Sequence, residues 1–353
     1  MIEEINIHAF KSIKEMSISF SNLNLLVGMN SSGKSSIIQT ILMLEQQKNS
    51  GIALNGELIQ MGEFNEVHNY YNDEKVIKIA FKSGVSEVKL NLSKDSSQLQ
   101  KKNETNKLWN NLHYLACYRV GAQDIYSSHV SHKKKFGNAG EYAISYLARH
   151  GDEPIDKNLI IDRENRIYSL TDQVNYWLEY ILGTTVLINK INKTNYVQAS
   201  YHNNGSEISK ELAARPVNVG SGVSYIISII VACLASDKDD LIIIENPEIH
   251  LHPKAQSRLC EFLYHVSSNS RQLFVETHSD HIFNRLRVGI SSKEYDENTI
   301  SINFITLDDK DGCTKCNRIK VLPYGNLVGE NPSLSLDDLF DQFNIDLDRM
   351  LGL

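Results

Sequence analysis

The sequence predicts an α/β chain with a mixed central sheet, a β-rich N-terminal lobe and an inserted α/β segment, and three observations carry that prediction. Residues 24–27 form a short apolar run that passes through a Gly/Ser-rich loop into a stretch where Ile37, Ile38, Ile41, Leu42 and Leu44 recur at helical spacing. Residues 2–7 and 16–20 alternate apolar and polar side chains, the two-residue period of half-buried strands. After residue 217, strand-like and helix-like runs alternate at 241–244, 253–267, 273–276 and 281–288.

The elements between these landmarks follow in order. Residues 51 to 92 read as short strands and turns, with a hairpin of 76–81 and 85–92 around Lys82-Ser83-Gly84. Residues 93–108 are polar and read as loose, and 114–118 as a strand. Helices are expected at 139–150 and 171–182, strands over 186–201, and an apolar helix over 225–235. Strands 301–307 and 314–322 flank an Asp-Asp-Lys-Asp-Gly turn, and the acidic tail 335–353 reads as helical. There is no repeat and no long heptad arm, so a long coiled coil is not expected. The chain divides into an N-terminal lobe (1–92), an insertion (93–210), a C-terminal lobe (211–330) and a tail (331–353).

Composition sets limits. The 353 residues are 41% hydrophobic and 22% charged, enough for one large domain with an insertion and unlike a disordered chain. Acidic residues outnumber basic ones 43 to 36; the net charge of -7 argues against a general nucleic-acid coat and leaves a local basic groove open. Five scattered cysteines make no disulfide framework. The first residues carry no signal pattern and no apolar run reaches membrane length, so a soluble, cytoplasmic protein with no membrane partner is expected.

Four segments carry chemistry. Gly28-Met29-Asn30-Ser31-Ser32-Gly33-Lys34-Ser35 fits G-x-x-x-x-G-K-S/T between an expected strand and helix. Its glycines let backbone N–H groups turn toward a phosphate, the helix N-terminus adds a positive dipole, Lys34 suits the β- and γ-phosphates and Ser35 suits Mg2+. Asn30, Ser31 and Ser36 join these as nucleotide-contact candidates. Second, the apolar run 241–244 ends in Glu245, a carboxylate able to orient Mg2+ or its water, with Glu248 within one turn to polarise an attacking water. Third, Val219-Gly220-Ser221-Gly222-Val223-Ser224 places small residues at a helix start, where Ser221 and Gly222 suit an anion, here the γ-phosphate held by another subunit. The plain alternative is a capping loop. Fourth, His278 in Glu276-Thr277-His278-Ser279 follows a buried strand and can donate to a phosphate oxygen; otherwise it is an ordinary surface histidine.

Weaker signals point to architecture. Cys313 and Cys316 lack a partner pair at zinc spacing and read as strand residues; Asp309 and Asp311 precede Gly312 in a turn. The basic cluster from His129 to Lys135 suits either a nucleic-acid backbone or a solvated loop.

Together these motifs resemble the ABC-type ATPase heads of the SMC, RecF and OLD (overcoming lysogenization defect) superfamily, and most of all small bacterial AAA-family ATPases with OLD-like heads. The resemblance rests on Asn218-Val219-Gly220-Ser221-Gly222-Val223-Ser224, on Glu245-Asn246-Pro247-Glu248-Ile249-His250-Leu251-His252-Pro253 and on Thr277-His278-Ser279. Tyr118-Arg119-Val120-Gly121 and the segment around Gly137 to Tyr142 look like further family phrases. The resemblance implies that Lys34 and Ser35 hold ATP and Mg2+, that Glu245 stands at the Walker B acid, that Ser221 and Gly222 act in trans, that His278 is the switch histidine and that 247–252 contact a second head. It also puts Gln60 at the Q-loop position, as a metal-site residue.

Asn246 departs from the family pattern, because ABC heads carry a catalytic Glu there and an amide cannot serve as a base. Glu248 must then substitute, or hydrolysis is slow. No TOPRIM or HNH nuclease signature follows His278. The resemblance therefore implies a homodimer of heads, or a higher oligomer, that controls a separate effector subunit (nuclease or toxin) in defence against phage or plasmids. The alternatives are a DNA-repair clamp, which makes DNA a partner, and a scaffold that binds ATP without hydrolysing it.

Overall fold

A computed structural model describes residues 1–102, 107–128, 135–161, 168–203, 214–336, 339–340, 346 and 349–351. The chain forms two compact units, one of Met1–Trp109 with Leu286–Leu353 and one of Asn110–Arg285.

The first unit holds two sheets. β1 (Glu4–Phe10), β2 (Ile13–Ser19), β4 (Ile77–Ser83), β5 (Ser86–Leu92) and β6 (Ser97–Lys102) form an antiparallel sheet in the order β2-β1-β4-β5-β6. It is the β-rich lobe the alternation predicts, and Ile5, Ile7, Ile79, Phe81 and Leu90 fill its inner face. The hairpin closes through Ser83↔Ser86. The segment 93–108 reads as loose in the sequence; its residues 103–106 lie outside the described residues, and the part before them is ordered: Ser93 N–H donates to Ser96 O at 2.8 Å and turns the chain into β6, which pairs with β5. Being an edge strand exposed along most of its length, β6 carries Gln and Lys where an interior strand would alternate, so the pattern hides it.

In the second sheet of this unit β13 (Ile300–Leu307) lies parallel to β3 (Leu23–Val27) and antiparallel to β14 (Thr314–Val321), which pairs with β15 (Leu327–Gly329). All five residues of β3 are buried, as an apolar run without alternation requires. β3 leads into α1 (Lys34–Ser50), ten of whose residues are buried. A short α2 (Phe64–Val67), not anticipated from sequence, follows the 51–62 loop.

The second unit sets a parallel group, β7 (Leu112–Leu115), β11 (Leu241–Glu245) and β12 (Gln272–Glu276), with β11 in the middle. Around it run α3 (Ala143–His150), α4 (Leu170–Leu182), α5 (Ser221–Leu234) and α6 (Pro253–Ser267). Trp177 of α4 packs edge-on against Phe262 of α6, ring centroids 4.9 Å apart. β9 (Thr184–Lys190) and β10 (Tyr196–Asn203) make the expected strand pair, and a two-residue β8 (Tyr126–Ser127) extends it.

Several boundaries differ from expectation, among them β1 (Glu4–Phe10 against 2–7), β2 (Ile13–Ser19 against 16–20) and β7 (Leu112–Leu115 against 114–118). α5 begins at Ser221 rather than 225, because Gly220 and Ser221 start the helix that the apolar run only continues. α3 begins at Ala143 rather than 139, because Gly140 is left-handed at φ 69°. α7 (Asp280–Ser291) is longer than 281–288. Most of the expected tail helix, and His129 to Lys134 of the basic cluster, lie outside the described residues. Among the described residues no helix is long and apolar enough to cross a membrane.

Candidate functional site

The phosphate loop of the first unit is shaped by its two glycines. Gly28 has φ 141° and Gly33 φ 109°, conformations that L side chains rarely adopt. A Cβ on Gly28 would collide with the backbone oxygen of Ile305, and one on Gly33 would sit 2.5 Å from Thr314 Oγ1. Thr314 also donates to Ser32 O at 2.9 Å and lies 2.6 Å from the Ser12 hydroxyl, which fixes the loop against the β1–β2 turn. Lys34 is buried and its ammonium donates to Gly28 O and Met29 O at 2.9 and 2.7 Å, arching back over the loop.

Two observations fit this loop to a phosphate. The N-cap of the 17-residue α1 is Gly33, with no side-chain cap and no acidic residue in the first turn, so the positive end of the helix is uncompensated by side chains. The Ser32 hydroxyl is buried without a hydrogen-bond partner among the described residues, an expense that a phosphate oxygen would remove. Asn30, Ser31 and Ser35 are exposed, whereas Ser36 is buried with its N–H on Gly33 O.

Gln60 is exposed, on a loop that Asn55 and Gln46 organise. Gln46, buried on α1, donates to Ala53 O at 2.9 Å and accepts the N–H groups of Leu58 and Ile59 at 2.7 and 2.8 Å. Asn55 Oδ1 accepts the N–H groups of Met61 and Gly62. The loop that presents Gln60 is thus anchored to the helix that follows the phosphate loop.

In the second unit Glu245 ends β11, half-exposed, and its carboxylate accepts Tyr114 O–H at 3.0 Å and Cys117 N–H at 3.1 Å. Burial first, then the negative charge of Glu245, pushes the Tyr114 hydroxyl far above the ordinary tyrosine range, so it stays protonated and donates to the carboxylate. The next residue, Asn246, turns the chain with φ 46° and donates its N–H to Glu276 O at 2.8 Å. Asn is the non-glycine residue best suited to that conformation, which gives this position a physical reason of its own.

Glu248 is tied to the switch segment. Its Oε2 accepts Thr277 O–H and its Oε1 accepts the N–H of His278, both at 2.8 Å. The sequence singled out Glu248 and His278 separately; the fold joins them, with the His278 side chain exposed. Ser221 is exposed and Gly222 buried in the first turn of α5, where a Cβ on Gly222 would lie 2.6 Å from His250 O. The Tyr225 and His250 rings, 5.0 Å apart, complete that contact. Gly220 caps the 14-residue α5 without a side-chain bond, so a second helix N-terminus also lacks a cap.

Sequence reasoning assigned no role to Arg119, Tyr114, Thr277 or Gln46. Arg119 is 3% exposed and its guanidinium donates to the carbonyl oxygens of Glu245, Asn246 and Ala116. A lone arginine or tyrosine carries no spacing signal, and only the phrase Tyr118-Arg119-Val120-Gly121 marked the neighbourhood. Cys313 immediately precedes β14 and Cys316 lies within it, and among the described residues no three His, Cys, Asp or Glu side chains form a metal-binding group.

Two solved structures share the fold: an SMC head bound to the C-winged helix domain of ScpA, at TM-score 0.55 and 13% identity over 94% of this chain and 98% of that one, and an SMC head with an extended coiled coil bound to the C-terminal domain of ScpA, derived from Pyrococcus furiosus, at TM-score 0.53 and 13% identity over 98% and 99%. No curated protein sequence matches the chain. The family model of the AAA ATPase domain matches residues 1–283, and the chain belongs to that family of ATPases.

Proposed function

We propose that this chain binds Mg-ATP through the 28–35 loop, hydrolyses it slowly and pairs two copies around the nucleotide to control a separate effector. The observation that carries the reading is the phosphate loop: two left-handed glycines, an uncapped α1, a buried unpartnered Ser32 hydroxyl and Lys34 in one turn of chain. In this reading Gly28, Asn30, Ser31, Gly33, Lys34 and Ser36 contact the nucleotide, while Ser35, Glu245 and Gln60 serve Mg2+. The bound ion offsets charge on the β- and γ-phosphates. Glu248 polarises the attacking water and His278 donates to the γ-phosphate.

Ser221 and Gly222 serve the nucleotide of a second copy, supported by the uncapped start of α5. The residue ranges 1–92, 93–210, 211–330 and 331–353 are offered as the functional segments. A role in bacterial defence, a cytoplasmic location and a nuclease or toxin effector rest on the resemblance to OLD-like heads alone. Support for a partner of some kind comes from the SMC heads of the same fold, which are bound to ScpA domains.

Asn246 favours one further reading, a scaffold that binds ATP without turnover, since an amide stands where ABC heads place a base. Mass measurement with and without ATP, beside an assay of phosphate release, tests both. The expected result is a doubled mass with ATP and slow phosphate release, both lost in Lys34→Ala. Nucleotide binding that survives Lys34→Ala removes the loop assignment; a mass that ATP never changes removes the pairing; binding without phosphate release leaves the scaffold.

A further inference from the structure

One buried arginine of the second unit has no carboxylate paired with it among the described residues. Arg119 is 3% exposed, yet among the described residues it forms no ion pair. A buried guanidinium costs several kcal/mol of lost hydration unless its donors are well used. Its Nη1 donates to Glu245 O at 2.6 Å and to Ala116 O at 3.1 Å, its Nη2 to Asn246 O at 2.7 Å, and its Nε is buried with no partner among the described residues. Charge-assisted bonds of this length to two successive carbonyls fix the peptide planes on both sides of Asn246.

β11 stops at Glu245. Asn246 takes its left-handed conformation there, at φ 46°, and besides Arg119 its carbonyl accepts the Ile249 N–H at 3.4 Å. The same short segment grips Glu245 a second time, because Tyr114 and Cys117 hold the two oxygens of its carboxylate. Residues 114–119 therefore fix the direction in which Glu245 leaves the strand, by its backbone and by its side chain. The carboxylates of Glu248 and Glu245 both act on the guanidinium electrostatically, so the cation also lowers the cost of keeping two negative groups near one turn.

We infer that Arg119 is a positioning residue for the 245–248 turn: it holds the Glu245 and Asn246 carbonyls so that the Glu245 carboxylate is preorganised for the nucleotide-bound metal. The inference rests on the reading above, in which Glu245 serves Mg-ATP.

Three measurements on Arg119→Lys in the full chain test it. Lysine keeps the buried stem and the charge but loses the fork, and it leaves the phosphate loop untouched. In the unliganded protein, amide exchange over 245–249 should quicken while α5 and β12 keep native protection. ATP affinity in EDTA should stay within about twofold of native while turnover falls roughly 10- to 100-fold, the usual cost of losing such a support. Guanidinium chloride, at a concentration that leaves the protein folded, should restore part of the turnover of Arg119→Ala and none of that of Lys34→Ala.

Native exchange over 245–249 in Arg119→Lys overturns the proposal. So does a loss of ATP affinity in step with turnover, or failure of this mild variant to fold, which would assign the residue to stability alone. If the native chain binds ATP with no turnover, the hydrolysis reading fails by itself, and the exchange measurement still decides for or against Arg119.

Discussion

The phosphate loop and the acidic turn are built by opposite means. In the loop the backbone does the shaping: Gly28 and Gly33 take conformations closed to other residues, Ile305 and Thr314 occupy the space a Cβ would need, and Lys34 ties the loop to its own carbonyls. In the acidic turn the shaping comes from side chains far away in sequence. Tyr114 and Arg119 reach residues 245 and 246, and Thr277 reaches Glu248. Steric exclusion admits one residue type, so it leaves a motif that can be read. A hydrogen-bond network admits several donors from several places, and it shows only once the strands are paired.

The sharpest way to break that contrast is Gly28→Ala. The new methyl meets the Ile305 carbonyl at a φ of 141°, and neither backbone can give way without moving β3 against β13. A strained residue and a backbone clash together cost about 3–5 kcal/mol. ATP affinity should fall at least ~100-fold by titration calorimetry, because the loop N–H groups no longer converge on one point. Native affinity in the Gly28→Ala protein would show that the loop owes its shape to something other than glycine.

The same contrast explains what the sequence allowed to be read. The strand, loop and helix around Gly28 were legible because all five residues of β3 are buried and apolar residues of α1 recur at helical spacing after two distinctive glycines and a lysine. The β13–β14 hairpin was legible because its turn residues are chemically distinctive. β6 was not, since an edge strand with solvent on its outer side has no apolar face to repeat. Gln46 looked like one more polar residue on α1, and only the fold shows it satisfying three backbone groups of the 51–62 loop. Glu248 and His278 were each visible, but their bond was not, because it needs β11 and β12 side by side in register Glu245↔Glu276.

A second network tests whether side-chain construction in the second unit is as brittle as backbone construction in the first. Asp240, fully buried just before β11, accepts from Asn111 N–H, from the Asn111 amide and from Asp237 N–H, and lies 2.9 Å from His113 Nε2. Burial pushes its carboxyl up, but His113 and these N–H donors outweigh burial and hold it below the ordinary aspartate range. A lowered folded value means the unfolded chain takes up the proton first. The stabilisation is therefore full above about pH 4 and is lost as pH falls through the folded value. Asp240→Asn sets an amide N–H against donors and should cost about 3 kcal/mol at neutral pH, with a shallower acid-unfolding curve. An unchanged acid midpoint would mean that Asp240 does not set the acid limit.

The smallest effect is expected where the network duplicates itself. Tyr114 and Cys117 each hold one oxygen of Glu245, and Glu245 is half-exposed, so water can replace the phenol on Oε1. Tyr114→Phe keeps the ring that packs behind β11 and removes only the hydroxyl. The loss should be about 1 kcal/mol, a fall of roughly 2 °C in Tm by scanning calorimetry, with turnover within about threefold of native. At the Glu245 carbonyl no side chain but Arg119 donates among the described residues, and at the Asn246 carbonyl its bond of 2.7 Å is backed only by the longer Ile249 N–H at 3.4 Å. The two substitutions lie on one short segment and support one carboxylate, so their ratio measures how much the backbone grip contributes relative to the side-chain grip. If Tyr114→Phe lowered turnover as far as Arg119→Lys, the carboxylate bond and not the held peptide planes would be what orients Glu245.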